Sequence, residues 1–138
     1  ICVKDKRDIV NEDERDLGLR KVLNFGHTPA HGIELLSDFS ISHGSAVAIG
    51  MVIMTKAAIK EGLCSEDTLS VLISLLKKYS LPTELVFSAE EIASPALNDK
   101  KRSGSSITLV IPEYAGKCSL RKVPVDSLEK FFSGAWEK

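Results

Sequence analysis

Residues 24–34 read NFGHTPAHGIE and residues 41–51 read ISHGSAVAIGM; between them they hold all three histidines of the chain, His27, His31 and His43. The first stretch turns helical at Thr28. That residue suits an N-cap and Pro29 suits the first helical position, while Ile33, Leu35, Leu36 and Phe39 supply an apolar side. SDFSISHGS interrupts the pattern, and a second helix starts at Ser42 or His43. Ala46, Val47, Ile49, Gly50, Ile53, Met54, Ala57 and Ala58 cover most of its circumference, as expected of a helix central in its domain. Gly44, Ala46, Ala48 and Gly50 are small enough to let a neighbouring helix come close, and Glu61-Gly62 carries a glycine C-cap signal.

Working outward, a third helix is expected from about Glu66 to Tyr79, with Leu69, Leu72, Ile73 and Leu76 on one stripe and Leu81-Pro82 as its stop. Ser88-Ala89-Glu90-Glu91 has the form of a capping box. The short helix after it should be cut or kinked by Pro95, and NDKKRSGSS (98–106) reads as a basic loop. ITLVIP and KCSLRKV, joined by EYAG, read as a β-hairpin. Val125-Asp126-Ser127 leads into a last helix through Phe131, Phe132 and Trp136. Upstream, Ile1 to Glu12 reads as the tail of a helix, and NEDERDLGLRK as a polar connection to Arg20. The expected fold is one mostly α domain over residues 1–138 with a single small hairpin.

Composition narrows the function classes. The 138 residues are 43% hydrophobic and 27% charged, which suits one globular domain with a core of its own. A net charge of -1 gives no chain-wide basic field for nucleic acid. The longest apolar run, Ala46 to Met54, is too short for a bilayer, and no targeting pattern is visible. Cys2, Cys64 and Cys118 form no CxxC pair, so a thiolate zinc knuckle is not expected and a reducing cytoplasm is. The start at Ile1, without methionine, leads us to expect a fragment or a trimmed chain.

Histidines four apart share a helix face, so His27 and His31 point alike if the helix includes His27. Antiparallel packing of the two helices could return His43 to the neighbourhood of His27. Neutral imidazoles bind zinc, but two or three of them without a carboxylate at ligand spacing make an incomplete site. The alternative is that His27 and His43, both near helix starts, bond backbone groups there. Spacing alone leaves both readings open. Arg20, Asn24 and His31 flank one helix start, a place that favours anions; Lys6, Lys100 and Lys101 are further cations, each equally readable as a solvated surface charge.

DERDLGLRKVLNFGHTPAHGIE followed by HGSAVAIGM resembles the 3-dehydroquinate synthase family, whose run is E-x-G-L-R-x-x-L-N-F-G-H-T-x-x-H-x-I-E and then H-G-E-A-V-A-x-G-M. NDKKRSGSSITLVIPEYAGKCSLRKV resembles the same family's later stretch. The resemblance covers essentially the whole chain and implies the C-terminal, mostly helical domain of a two-domain enzyme. The NAD-binding Rossmann-like domain would lie upstream, and the Gly-rich dinucleotide turn is absent from this sequence. The family's reaction converts 3-deoxy-D-arabino-heptulosonate 7-phosphate to 3-dehydroquinate and phosphate in the shikimate pathway of aromatic amino-acid biosynthesis.

Carried over by motif, His27 and His43 match two ligands of a zinc or cobalt ion whose third, acidic ligand comes from upstream. His31 matches a histidine near the substrate phosphate. Arg20, Asn24 and Lys6 match substrate-binding and catalytic positions, and Lys100 or Lys101 a phosphate-contacting lysine. No residue of this chain is assigned to NAD. The resemblance also implies a cytoplasmic lyase, homodimeric at full length, acting on a small sugar phosphate, with the isolated chain inactive. Three positions depart from the pattern: Asp16 stands where glutamate is usual, Pro29-Ala30 replaces an aromatic-glycine pair, and Ser45 replaces the glutamate of H-G-E-A. Two other readings remain open: the domain of a related sugar-phosphate cyclase or polyol dehydrogenase, and a non-catalytic binding module.

Overall fold

The apolar helix that holds His43 is the centre of the structure. The computed structural model describes residues 2–12, 19–103 and 106–138. Among these, α1 (Cys2–Glu12) leads to a 3-10 turn (Leu19–Asn24), followed by α2 (His27–Leu36), α3 (His43–Lys60), α4 (Glu66–Lys78) and α5 (Ala89–Ser103). The strands β1 (Ser106–Tyr114) and β2 (Lys117–Pro124) come next, then a 3-10 turn (Val125–Ser127) and α6 (Leu128–Ser133). The expected mostly α domain with one hairpin is the fold observed.

Helix α3 buries ten residues, from Ala46 to Ala58. Ile49, Ile53 and Met54 meet Ile33 of α2, Ile92 of α5, Leu109 and Ile111 of β1 and Phe132 of α6 in one cluster. Its other side, through Ala48 and Val52, packs on Leu76 with Leu69 and Leu72 of α4. The α4 stripe therefore serves as its spacing predicts, although α4 leaves Val71 and Leu75 about half exposed.

Chain punctuation fixes the ends of α3. The Ser42 hydroxyl accepts the N–H of Ser45 at 3.3 Å and so caps the start. At the other end Gly62 takes φ +73°, its N–H bonds Ile59 O at 2.9 Å, and Leu63 N–H bonds Ala58 O at 2.8 Å. This is the paired-bond glycine cap that Glu61-Gly62 predicted.

Several boundaries differ from the sequence reading. Helix α2 starts at His27, one residue before the expected Thr28 cap, and its N-cap is Gly26 at φ +81°. Ala30 N–H bonds Gly26 O at 3.1 Å, which places Pro29 third in the helix, where its missing N–H still forfeits no helical bond. Helix α5 is not short: it runs 15 residues to Ser103, so Asn98 to Ser103 are helical rather than part of a basic loop. The capping box is formed, with Ser88 N–H donating to the Glu91 carboxylate at 2.8 Å and Glu91 N–H to the Ser88 hydroxyl at 3.2 Å. Pro95 does not end the helix. The carbonyl it leaves without a backbone donor is that of Glu91, and the Ser94 hydroxyl donates to that oxygen at 2.8 Å.

Strand β1 extends through Glu113 and Tyr114, so the hairpin loop is only Ala115-Gly116, with Gly116 at φ +99°. The register breaks between Pro112 and Tyr114, next to a residue that has no N–H for the ladder. Helix α6 stops at Ser133, before Trp136.

Candidate metal centre

Close backbone contact sets the positions of the two histidines. A Cβ on Gly50 of α3 would stand 2.1 Å from Gly26 O, and one on Gly26 would stand 2.8 Å from both Met51 N and Val47 O. Only glycine at both places lets the start of α2 rest on the middle of α3. Gly32, farther along α2, meets the backbone of α5 in the same way, since a Cβ there would lie 2.3 Å from Ile92 O.

That docking brings His27 and His43 together, edge to face, with ring centroids 5.3 Å apart. Each imidazole has one nitrogen engaged. Nδ1 of His27 lies 3.3 Å from Phe25 O; a carbonyl only accepts, so Nδ1 carries the proton. Nδ1 of His43 lies 2.5 Å from Oε1 of Glu34, and a carboxylate likewise accepts. Among the described residues neither Nε2 has a hydrogen-bond partner. In the neutral form of each ring this pattern places the proton on Nδ1 and leaves Nε2 as the lone pair, the arrangement that can bind a metal.

The spacing suits the same conclusion. With Zn–N near 2.0–2.1 Å, an ion stands roughly 3.2 Å from each ring centroid, so two rings at a tetrahedral angle lie about 5.2 Å apart. The observed 5.3 Å matches that separation and is equally the distance of an ordinary edge-to-face ring contact. No cluster of three or more His, Cys, Asp or Glu that could hold a metal occurs among the described residues, where the two imidazoles stand as a pair. The capping alternative holds only in part: His27 does bond a backbone carbonyl, but the cap of α3 is the Ser42 hydroxyl and His43 turns to Glu34 instead.

The remaining site positions are less drawn together. His31 lies one turn beyond His27 on the same face of α2 and is exposed. Asn24 ends the 3-10 turn, three residues before His27, and is exposed. No side chain caps the start of α2, which leaves the N–H groups of His27 and Thr28 open to an anion. Lys6 is exposed on α1. The backbones of Arg20, Lys100 and Lys101 are helical, but their side chains lie outside the described residues, and Asp16 lies outside them altogether. Beside the histidine pair a cleft of about 440 Å³ opens between α3 and α4, lined by Val47, Met51, Leu72 and Tyr79 among others and almost wholly apolar.

Glu34, whose carboxylate meets Nδ1 of His43, had no role in the sequence reading. Its spacing carried a signal: His27, His31 and Glu34 follow a four-then-three interval, which puts all three on one stripe of α2. The Ser45 departure also has a local account. In place of a glutamate that could reach back to the N-cap backbone, Ser45 pairs its hydroxyl with that of Ser42 at 2.9 Å.

A profile of the family described as 3-dehydroquinate synthase C-terminal matches residues 1–102. The chain belongs to this family. Among its relatives, the 3-dehydroquinate synthase of Enterococcus faecalis (strain ATCC 47077 / OG1RF) is 37% identical over 134 residues, which cover 96% of this chain and 37% of that protein. That of Streptococcus sanguinis (strain SK36) is 40% identical over 128 residues, 91% of this chain and 36% of that protein. The chain thus spans little more than a third of the length of these relatives. Its fold is that of a 2-deoxy-scyllo-inosose synthase solved with carbaglucose-6-phosphate, NAD+ and Co2+, at a TM-score of 0.77 and 23% identity over 96% of this chain and 38% of that one. It is also that of the 2-epi-5-epi-valiolone synthase of Streptomyces hygroscopicus subsp. jinggangensis 5008, solved with NAD+ and Zn2+, at 0.69 and 23% over 94% and 35%.

Proposed function

We propose that this chain is the metal- and substrate-binding half of a 3-dehydroquinate synthase, a lyase that turns 3-deoxy-D-arabino-heptulosonate 7-phosphate into 3-dehydroquinate and phosphate. The observation that carries the reading is the paired His27 and His43, each with Nδ1 engaged and Nε2 open, at the spacing of two ligands on one ion. Its support from kinship is that relatives at 37–40% identity bear that enzyme's name.

The chain's own residues divide the work as follows. His27 and His43 hold a zinc or cobalt ion that an acidic side chain of an upstream domain completes. Bound there, the ion supplies Lewis-acid polarisation of a substrate oxygen. NAD, held by the upstream domain, supplies the hydride chemistry. Arg20 offers a planar fork to the substrate carboxylate, and Asn24 an amide to a substrate hydroxyl. His31, Lys6 and one of Lys100 and Lys101 receive the phosphate, aided by the open N–H groups at the start of α2. The setting is the cytoplasm and the whole enzyme a homodimer, which sedimentation of the full-length protein would test.

The test is phosphate release coupled to dehydroquinate formation. The chain alone, with NAD and zinc, gives none, because hydride transfer requires the nicotinamide within about 3–3.5 Å of the reacting carbon. Joined to its upstream domain it turns over the heptulosonate phosphate, and His27→Ala or Arg20→Ala removes most of the rate while Cys64→Ala does not. Turnover of glucose 6-phosphate or glycerol in preference would assign it to a sister cyclase or a polyol dehydrogenase. A full-length protein silent on all three would make the domain a binding module.

A further inference from the structure

Glu34 is a carboxylate whose side chain is only 14% exposed, yet its ion-pair partner, His43, is 65% exposed. An acid drawn off the surface to meet an exposed imidazole gains little stability from the pair, because its loss of hydration offsets the attraction. What the contact does accomplish is geometric. The carboxylate oxygen accepts the Nδ1–H hydrogen bond of His43, holds the ring by that edge, and in the neutral ring leaves Nε2 as the free lone pair. His27 is fixed in the same protonation form by a backbone carbonyl, which no side-chain substitution can remove. Only His43 depends on a side chain for its aim. Glu34 reaches it from α2 across the turn to α3, nine residues away in sequence.

We propose that Glu34 is the positioning residue for His43: it fixes the Nδ1–H tautomer and turns Nε2 toward the ring of His27. The inference rests on the metal reading above for its purpose, though not for its geometry. Residues 37–42 connect the two helices, with Asp38 and Phe39 in left-handed backbone at φ 50° and 57°. Phe39 N–H closes this turn onto Glu34 O at 2.8 Å. The backbone of Glu34 thus anchors the turn that delivers α3, while its side chain anchors the first residue of α3.

The nitrogen shifts of the imidazoles, read by long-range 1H–15N correlation in the metal-free chain above pH 8, test the proposal. His43 is expected to show a pyrrole-like Nδ1 and a pyridine-like Nε2. In Glu34→Ala the pattern shifts toward the Nε2–H form, with His27 unchanged. Titration with cobalt, followed by its visible absorption, should show affinity falling about 10- to 100-fold in Glu34→Ala. Glu34→Gln, which keeps the shape and a neutral acceptor, should be intermediate, and it serves as the reference should the alanine variant fold poorly. A wild-type His43 already protonated at Nε2, or a tautomer that ignores both substitutions, overturns the proposal. So does unchanged cobalt affinity in the Glu34 variants while His43→Ala loses it. If the tautomer follows Glu34 but cobalt binds equally well to wild type, His27→Ala and His43→Ala, the positioning role stands and the metal reading falls.

Discussion

Replacing Gly50 by alanine tests the contact on which the site is built. An ideal Cβ there would lie 2.1 Å from Gly26 O, 3.0 Å from Gly26 C and 3.2 Å from Pro29 Cγ. A relaxed carbon–oxygen contact is about 3.3 Å, so the start of α2 must retreat from α3 by roughly 1.2 Å. Two backbones meet here, and no flexible side chain can swing aside. Alanine favours the helix by about 0.8–1.0 kcal/mol, whereas overpacking of this kind costs about 1–3 kcal/mol or more. With an overlap of this size the steric cost wins, by roughly 1–2 kcal/mol. Thermal unfolding followed by circular dichroism should show Tm lower by roughly 3–10 °C. Gly44→Ala is the control: it sits in the same helix, and a Cβ there meets nothing within 4 Å, so Tm should hold or rise slightly. Because Gly26 directly precedes His27, the retreat also parts the two rings, and cobalt affinity at a temperature where both variants are folded should fall only in Gly50→Ala. A Gly50→Ala protein as stable as wild type, with undiminished cobalt affinity, would refute the claim that this glycine contact places the histidines.

Ser45→Glu should complete a capping box with Ser42 and raise stability by about 0.5–1 kcal/mol, read as a higher denaturant midpoint at unchanged slope. Ser94→Ala strands the Glu91 carbonyl beside Pro95 and should lower stability by about 1 kcal/mol in the same measurement. The Cys118 thiol is pushed above its ordinary range by burial, with the Glu113 carboxylate adding to the rise. Alkylation of Cys118, followed by mass spectrometry of the peptide, should therefore be slow at pH 7.5 and accelerate only as pH climbs past the usual thiol range; Glu113→Gln should quicken it at any fixed pH.

The elements that the sequence disclosed are those whose signals are local. The all-round apolar pattern of Ala46 to Ala58, the glycine after Glu61 and the Ser88–Glu91 box each act within a few residues, and each forms as read. The start of α2 was misplaced because Thr28 and Pro29 look like a cap and a first turn, while the deciding residue, Gly26, is chosen by what lies against it in α3. Helix α5 outran its forecast because a proline's cost depends on whether its orphaned carbonyl finds another donor; Ser94 is that donor and was not weighed with Pro95. Of the candidate site, the approach of His27 and His43 was legible from the packing expected of their two helices. Their mutual distance was not, since it depends on two helices meeting at glycine.

The same logic explains why a strong motif looked like a weak site. Two imidazoles form half of a zinc shell, and sequence spacing alone could not separate that half-shell from histidines that merely sit near helix starts. The separation comes from the ring nitrogens that already have partners. A surface histidine has no need of a half-buried acid, and a capping histidine would direct its ring to the helix that follows it. Here both Nδ1 atoms are held from behind, one by Phe25 O and one by Glu34, and the two rings lie 5.3 Å apart on helices pressed together at glycine contacts. Such preorganisation lowers the ordering cost of ligation and so raises affinity for whatever completes the shell. On the metal reading proposed above, the two rings would need a further ligand from outside the described residues.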